Sequence, residues 1–267
     1  MKQRISQILS SLLYNSYIYG FILGTIYQGN FKFLNCPGFN CYSCPSAIFA
    51  CPIGILQFFA AYGAYHLTLY TMGFIGAIGA VGGRIICGWG CPFGLLQDMM
   101  YKIKAPKLNI PSFLYAGRYV TLILLVFIIP FITKEPWFSK LCPIGTLEAG
   151  IPHLLYNADL RQFAGTIFII KCIILFVYFA WMIVSKRPFC RTTCPLGAIY
   201  SLFNRISFLR VAVDKDKCIK CSKCHKNCPV SIKVFEDGGA TSQCIRCLRC
   251  TDCPVKAISY SFKLTRN

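Results

Sequence analysis

Four stretches of this sequence are long and apolar enough to cross a hydrocarbon core about 30 Å thick, which takes roughly 20 residues of α-helix. They lie near residues 8–26, 67–86, 119–132 with flanks, and 164–184. With 55% hydrophobic and only 14% charged residues, the chain departs from an ordinary soluble composition. The bias is uneven: residues 1–205 hold the apolar runs, whereas 206–267 are polar, Lys-rich and dense in cysteine. The expected organisation is a membrane all-α domain over 1–205, with about four transmembrane helices, followed by a small extramembrane domain over 206–267.

Charge placement orients these helices. With the N-terminus in the cytoplasm, inside segments hold Lys2, Arg4, Lys102, Lys104, Lys107, Arg118, Lys186, Arg187 and Arg191, while Lys32, Lys134, Lys140 and Arg161 fall outside. That distribution follows the positive-inside rule and returns the C-terminus to the cytoplasm. The basic start resembles a signal peptide, but no small-residue cleavage site follows, so an uncleaved anchor is expected. Residues 46–66 are apolar but broken by Cys51-Pro52 and Gly54, which favours a re-entrant or interfacial helix over a fifth crossing. Arg84 is expected to snorkel toward the cytoplasmic interface. The formal charge of +19 follows the helix flanks and cysteine runs, so it points to lipid headgroups and acidic partners and not to nucleic acid.

The tetrapeptide Cys-Pro-apolar-Gly occurs four times, beginning at Cys51, Cys91, Cys142 and Cys194. The second and fourth copies extend to Cys87-x3-Cys91-Pro and Cys190-x3-Cys194-Pro. Each half therefore runs from an outer CPxG through a membrane helix to an inner CxxxCPxG, as expected of a tandem pseudo-repeat. The glycines of residues 73–83, with Gly79-x3-Gly83 among them, read as a helix-packing face.

Eighteen cysteines could form a disulfide scaffold, but their spacing is that of metal ligation. Cys218-x2-Cys221-x2-Cys224-x3-Cys228-Pro229 is the bacterial ferredoxin run, in which three thiolates hold one [4Fe–4S] cubane and the fourth reaches a second. Cys218, Cys221, Cys224 and Cys253 should bind cluster one, and Cys244, Cys247, Cys250 and Cys228 cluster two. The expected fold of 206–267 is therefore an α+β bacterial 2[4Fe–4S] ferredoxin domain. Cys250 and Cys253 stand one residue closer than that pattern asks. The CxxCH string ending at His225 matches a haem motif, but its cysteines are already claimed. His66 and His153 are expected near the outer surface, as polar residues or quinone contacts.

Two further sets lie in the membrane half. Cys87, Cys91, Cys190 and Cys194 would suit a third cluster, a redox dithiol arrangement or a zinc site. Cys36, Cys41, Cys44 and Cys51, with Cys142 on the same side, would suit an outer-side cluster or disulfides.

CGWGCP (87–92) and CRTTCP (190–195), followed directly by two four-cysteine runs, resemble the NapH-type membrane polyferredoxins. That group shares its membrane half with NosR and, more loosely, with the CcoG/FixG/RdxA proteins; NCPGFNCYSCP (35–45) is similar to its outer-side motif. The resemblance implies a multi-pass protein of the inner (cytoplasmic) membrane that relays electrons between the quinone pool or a cytoplasmic ferredoxin or flavoprotein and a partner oxidoreductase. A quinol-oxidising or metal-reducing enzyme and a redox-dependent cofactor-assembly or regulatory factor are the alternatives. No acid–base or nucleophile constellation argues for hydrolysis or group transfer.

Overall fold

A computed structural model describes residues 2–63 and 65–262. The N-terminal apolar stretch does not form one helix. It breaks into α1 (Lys2–Tyr14) and α2 (Tyr19–Leu23). The break is stabilised by polar groups hidden in apolar sequence: the Asn15 and Asn40 side-chain amides exchange hydrogen bonds at 3.2 and 3.1 Å, and Ser46 Oγ donates to Asn15 Oδ1 at 3.3 Å. These bonds fold residues 35–50 inward against α1. As a result Gly38 packs on Gly90 and Cys91.

Each half of the membrane region then repeats one design. After Cys51, α3 (Pro52–Tyr62) runs outward to Gly63, whose φ of 72° ends the helix in the left-handed region that glycine favours. The chain returns along α3 as α4 (Tyr65–Gly82), followed by α5 (Ile85–Trp89) and α6 (Pro92–Met100). At 11 residues α3 is only about 16 Å long, half of what a crossing needs. Continuous helical backbone over Ser112–Thr133, α7, leads to the second half. There, helical residues 143–156, α8, begin at Pro143 and include a π-turn at Thr146–Gly150; they pack against the returning α9 (Thr166–Val184). The short helices α10 (Pro188–Thr192) and α11 (Pro195–Phe203) complete the match. The sequence reading had left residues 143–156 outside the membrane helices, although Cys142-Pro143-Ile144-Gly145 marks them as the mate of α3.

Among the described residues, two helices, α7 and α9, are long and apolar enough to cross a membrane. Both expose large apolar side chains, among them Ile123 and Phe131 on α7 and Ile169 and Phe176 on α9, a surface suited to lipid and not to water. The helix expected at 67–86 ends at Gly82 instead, because Gly83 takes a φ of 57°. Gly79 and Gly83 form the anticipated packing face, touching Phe203 and Asn204, whereas Gly73 and Gly76 face open space.

In the tail, β1 (Leu209–Val213) pairs antiparallel with β2 (Ile258–Phe262), from Leu209 opposite Phe262 to Val213 opposite Ile258, with α12 (Lys223–Asn227) between them in sequence. Ile245, Val230 and Ile258 of the tail join one continuous buried cluster with Ile53, Val126 and Phe189 of the membrane half.

Candidate iron–sulfur centres

The four CPxG motifs share one local geometry. Cys51, Cys91, Cys142 and Cys194 all sit in extended backbone, ψ 111° to 119°, because the following proline disfavours helix there and itself starts a helix. The glycine two residues beyond that proline turns its N–H toward the thiol in every copy, measured at 3.2 Å for Gly197 and Cys194 Sγ. The motif is therefore a device for presenting a sulfur at a helix start with a hydrogen bond already aimed at it.

Cys87, Cys91, Cys190 and Cys194 line one closed cavity, and their thiols lie close enough to interact electrostatically. Two buried arginines brace it reciprocally. Arg84, three residues before Cys87, donates from Nη2 to the carbonyl oxygen of Cys190 at 2.9 Å; Arg187, three before Cys190, donates from Nη1 to that of Cys87 at 2.7 Å. Arg187 also makes a bidentate ion pair with Asp98, both bonds 2.7 Å. Arg84 is fully buried, with Nη1 bonded to the carbonyl of Ser242, so it does not snorkel as expected. Its packing between the repeats and the tail supplies the solvation that the interface would have given. Gln97 Nε2 donates to Cys190 Sγ at 2.9 Å.

Arg84 Nε and Arg118 Nε and Nη1 are buried with no protein hydrogen-bond partner among the described residues. Buried cations with spare donors beside four thiols fit a group that is anionic once bound, as a thiolate-ligated cubane is. No three His, Cys, Asp or Glu side chains among the described residues converge on the position of a single ion.

In the tail, the two cysteine runs have matching backbones. Lys220 and Ser222 of the first run have φ of 52° and 58°, and Arg246 and Leu248, at the same places in the second, 48° and 59°. After each Cys-Pro, Ser231 and Lys256 match as well, at 52° and 51°. Non-glycine residues at positive φ cost of order 1–3 kcal/mol each and persist where surrounding interactions over-determine them. Successive residues so arranged turn backbone N–H groups toward one concavity, which suits a sulfur-rich anion. The shortened Cys250–Cys253 spacing leaves this symmetry intact.

Cys228, Cys244, Cys247 and Cys250 are mutual electrostatic neighbours. Burial, reinforced by neighbouring thiols, pushes Cys247 up to about 11 and Cys250 up to about 12; Cys244 is also raised. Such thiols give up their protons only to a strong cationic centre. Cys218 and Cys224 interact likewise, and the Lys223–Asp252 ion pair, 3.2 Å, draws the residue before Cys253 against the first run.

The second run lies directly on the membrane half. Trp89 Nε1 donates to the carbonyl of Arg246 at 3.1 Å, and a Cβ on Gly88 would stand 2.6 Å from the carbonyl oxygen of Ile245. Gln3 and Arg249 bond at 2.5 Å, so the N-terminus and the tail meet at the same end of the molecule.

A family model described as a 4Fe-4S binding domain matches residues 66–111, 115–154 and 163–213, and a second of the same description matches 210–233. The chain belongs to this 4Fe-4S binding family. An uncharacterised protein of Methanocaldococcus jannaschii is 32% identical over 79% of this chain and 86% of its own length. The ferredoxin-type protein NapH of Haemophilus influenzae is 26% identical over 73% and 68%, respectively. The putative electron transport protein YccM of Escherichia coli is 27% identical over 68% of this chain, which spans about half (52%) of YccM. No solved structure matches. The chain is an iron–sulfur protein of the ferredoxin-type electron-transfer group, as the motif pair had implied, and it carries two helices long and apolar enough to cross a membrane among the described residues.

The outer cysteines gather around Cys51. Cys142 interacts with Cys41 and Cys51, and Cys36 with Cys51, whereas the Cys44 thiol engages Ser46 Oγ at 3.2 Å. No disulfide joins any of the eighteen cysteines. The reciprocal bonding of Arg84 and Arg187, and the parts played by Gln97 and Glu148, went unread in the sequence. The recurrence of Arg three residues before each CxxxCP was the available signal.

Proposed function

We propose that this protein is a membrane-embedded relay in which at least three [4Fe–4S] centres pass single electrons between the membrane and a soluble partner. Cys218, Cys221, Cys224 and Cys253 hold the outermost centre of the tail. Cys228, Cys244, Cys247 and Cys250 hold the next. Cys87, Cys91, Cys190 and Cys194 hold the third, at the junction of the two repeats. The observation that carries the reading is the seating of the Cys244–Cys250 loop on Gly88 and Trp89, within the CxxxCP loop of the third centre. Neighbouring centres in contact through protein need no diffusing carrier between them.

When bound, each cubane supplies a one-electron couple; the chain's residues set its charge balance and exclude water. Residues 206–267 act as a ferredoxin-type domain on the cytoplasmic face, with both termini there; α7 and α9 cross the membrane, and α3 and α8 act as re-entrant helices. Lys215, Lys217, Lys220, Lys223 and Lys226 give the outermost centre a basic approach for an acidic partner such as a ferredoxin, a flavoprotein or an oxidoreductase subunit. On the membrane side, a cavity of about 410 Å3, largely apolar with Lys32, Gln57 and Ser139 among its polar lining and Cys51 on its wall, suits a quinone headgroup.

Iron and sulfide counting with EPR on anaerobically purified protein tests the assignment. Cys190→Ser should remove one cubane while sparing both tail signals, and Cys247→Ser should remove a different one. An iron-free preparation, or Cys190→Ser with a full iron count, would refute it. Protease added to inverted vesicles should cut the tail, and protease outside intact cells should not.

A further inference from the structure

We infer that Cys36, Cys41, Cys51 and Cys142 bind a fourth iron–sulfur cubane inside the membrane half, closed by a ligand from the second repeat. Cys51 and Cys142 are equivalent positions, each the extended residue before a half-length helix, and their thiols interact. Cys41 interacts with both. Cys36 is carried beside Cys51 by a parallel bridge between Asn35 and Ala50, with Cys36 N donating to Ala50 O at 2.8 Å. Cys41, Cys51 and Cys142 line a common cavity, into which Lys171 also projects.

Three features make the pocket a built one. The N–H groups of Gly54 and Gly145 face the thiols of Cys51 and Cys142, the arrangement used by Cys91 and Cys194 at the inner centre. The absence of a side chain at Gly145 keeps the space beside Cys41 Sγ open, its Cβ position being 3.7 Å away. The Glu148 carboxylate accepts the Cys41 N–H at 2.8 Å and fixes the loop that carries Cys41. Lys32, held over this loop by bonds to the carbonyls of Tyr42 and Ala47, supplies a cation near Cys41. Cys44 is excluded from the set because its thiol is turned to Ser46. Cys36 also interacts with Cys91, so the fourth centre adjoins the third.

The inference extends the three-centre relay but is tested apart from it. Iron and sulfide should be counted, and EPR recorded, for anaerobically purified full-length protein and for Cys142→Ser, Cys36→Ser, Cys44→Ser and Cys172→Ser. Expected are four cubanes in the parent chain, loss of a quarter of the iron and of one EPR species in the first two variants, and no loss in the last two. The surviving EPR signals of the tail and inner centres report that each variant has folded. Three cubanes in the parent chain, disulfides among these four cysteines, or loss of the cluster in Cys44→Ser but not Cys36→Ser would overturn the inference. Each of those outcomes leaves the three-centre relay standing, because the EPR signals of the tail and inner centres are read separately.

Discussion

Arg84 Nη2 lies 2.9 Å from the carbonyl oxygen of Cys190, so a cation of the first repeat clamps the ligand loop of the second. Arg187 returns the bond to Cys87, and the glycines of the opposite CPxG motifs leave room for both guanidinium groups: a Cβ at Gly197 would stand 3.0 Å from Arg84 Nη2, and one at Gly94 3.2 Å from Arg187 Nη1. The longer motif is thus Arg-x2-Cys-x3-Cys-Pro-x-Gly, with the arginine serving the partner repeat. This exchange couples the halves mechanically and places fixed positive charge where the thiolates of a cubane would need it.

Replacing either arginine should therefore harm the third centre more than the tail. Arg187→Met leaves Asp98 without its bidentate partner at an almost buried site, a change that costs about 3–5 kcal/mol when the pair is buried. Asp98 keeps a longer contact with Arg249, 3.7 Å, which places the loss toward the lower end. Arg84→Met removes two hydrogen bonds from a buried cation, each worth about 1.5–3 kcal/mol. Both variants should show a weakened inner-centre EPR signal and a lower thermal midpoint, with the tail signals retained.

Gln97→Leu tests how a sulfur hydrogen bond sets potential. The Gln97 side chain donates to Cys190 Sγ, and such bonds favour the more negative, reduced cluster. Their removal should move the inner midpoint potential negative by on the order of tens of millivolts, where about 59 mV corresponds to a tenfold change for one electron. Redox titration monitored by EPR would read this. A positive shift would contradict the role given to Gln97.

Gly88→Val tests the contact between the second and third centres. The new side chain would meet the carbonyl of Ile245 and the Cα of Cys247, backbone atoms that cannot swing aside. Overpacking of this kind costs about 1–3 kcal/mol. The tail should lift, becoming easier to proteolyse, and reduction of the inner centre through the tail should slow at an unchanged iron content.

The 4Fe-4S character of the chain was legible because a cubane dictates local cysteine spacing, and local spacing is what a sequence displays. The same holds for α9, an apolar run in which only Leu175 and Met182 are buried. The break between α1 and α2 was hidden, since its cause is a polar triad drawn from Asn15, Asn40 and Ser46, and apolar periodicity says nothing of contacts 25 residues apart. Cys142 belongs with Cys41 and Cys51 for a similar reason: the repeat predicted its equivalence to Cys51 but not that both half-helices begin side by side. Arg84 was misread because the cost of burying it is offset by carbonyls from Ser242 and Cys190, more than a hundred residues away in the chain.

Partner docking is the last consequence of charge placement. The lysines around the first run are exposed or partly so, and a second basic surface, from Arg4, Lys102, Lys186, Lys226 and Arg249, surrounds the approach to Cys228. Lys186 reaches from the membrane half to the carbonyl of Cys228 at 2.9 Å, so this surface is shared between the two parts of the protein. An acidic electron carrier should associate faster at low salt, with a second-order rate that falls steeply, by roughly tenfold or more, as the Debye length shrinks from about 30 Å to about 8 Å. Lys215→Glu combined with Lys226→Glu should flatten that dependence and slow reduction, while leaving iron content in place. Stopped-flow reduction across a salt series would measure both effects. A rate indifferent to salt in the parent chain would mean that these lysines serve solvation or lipid headgroups and not a redox partner.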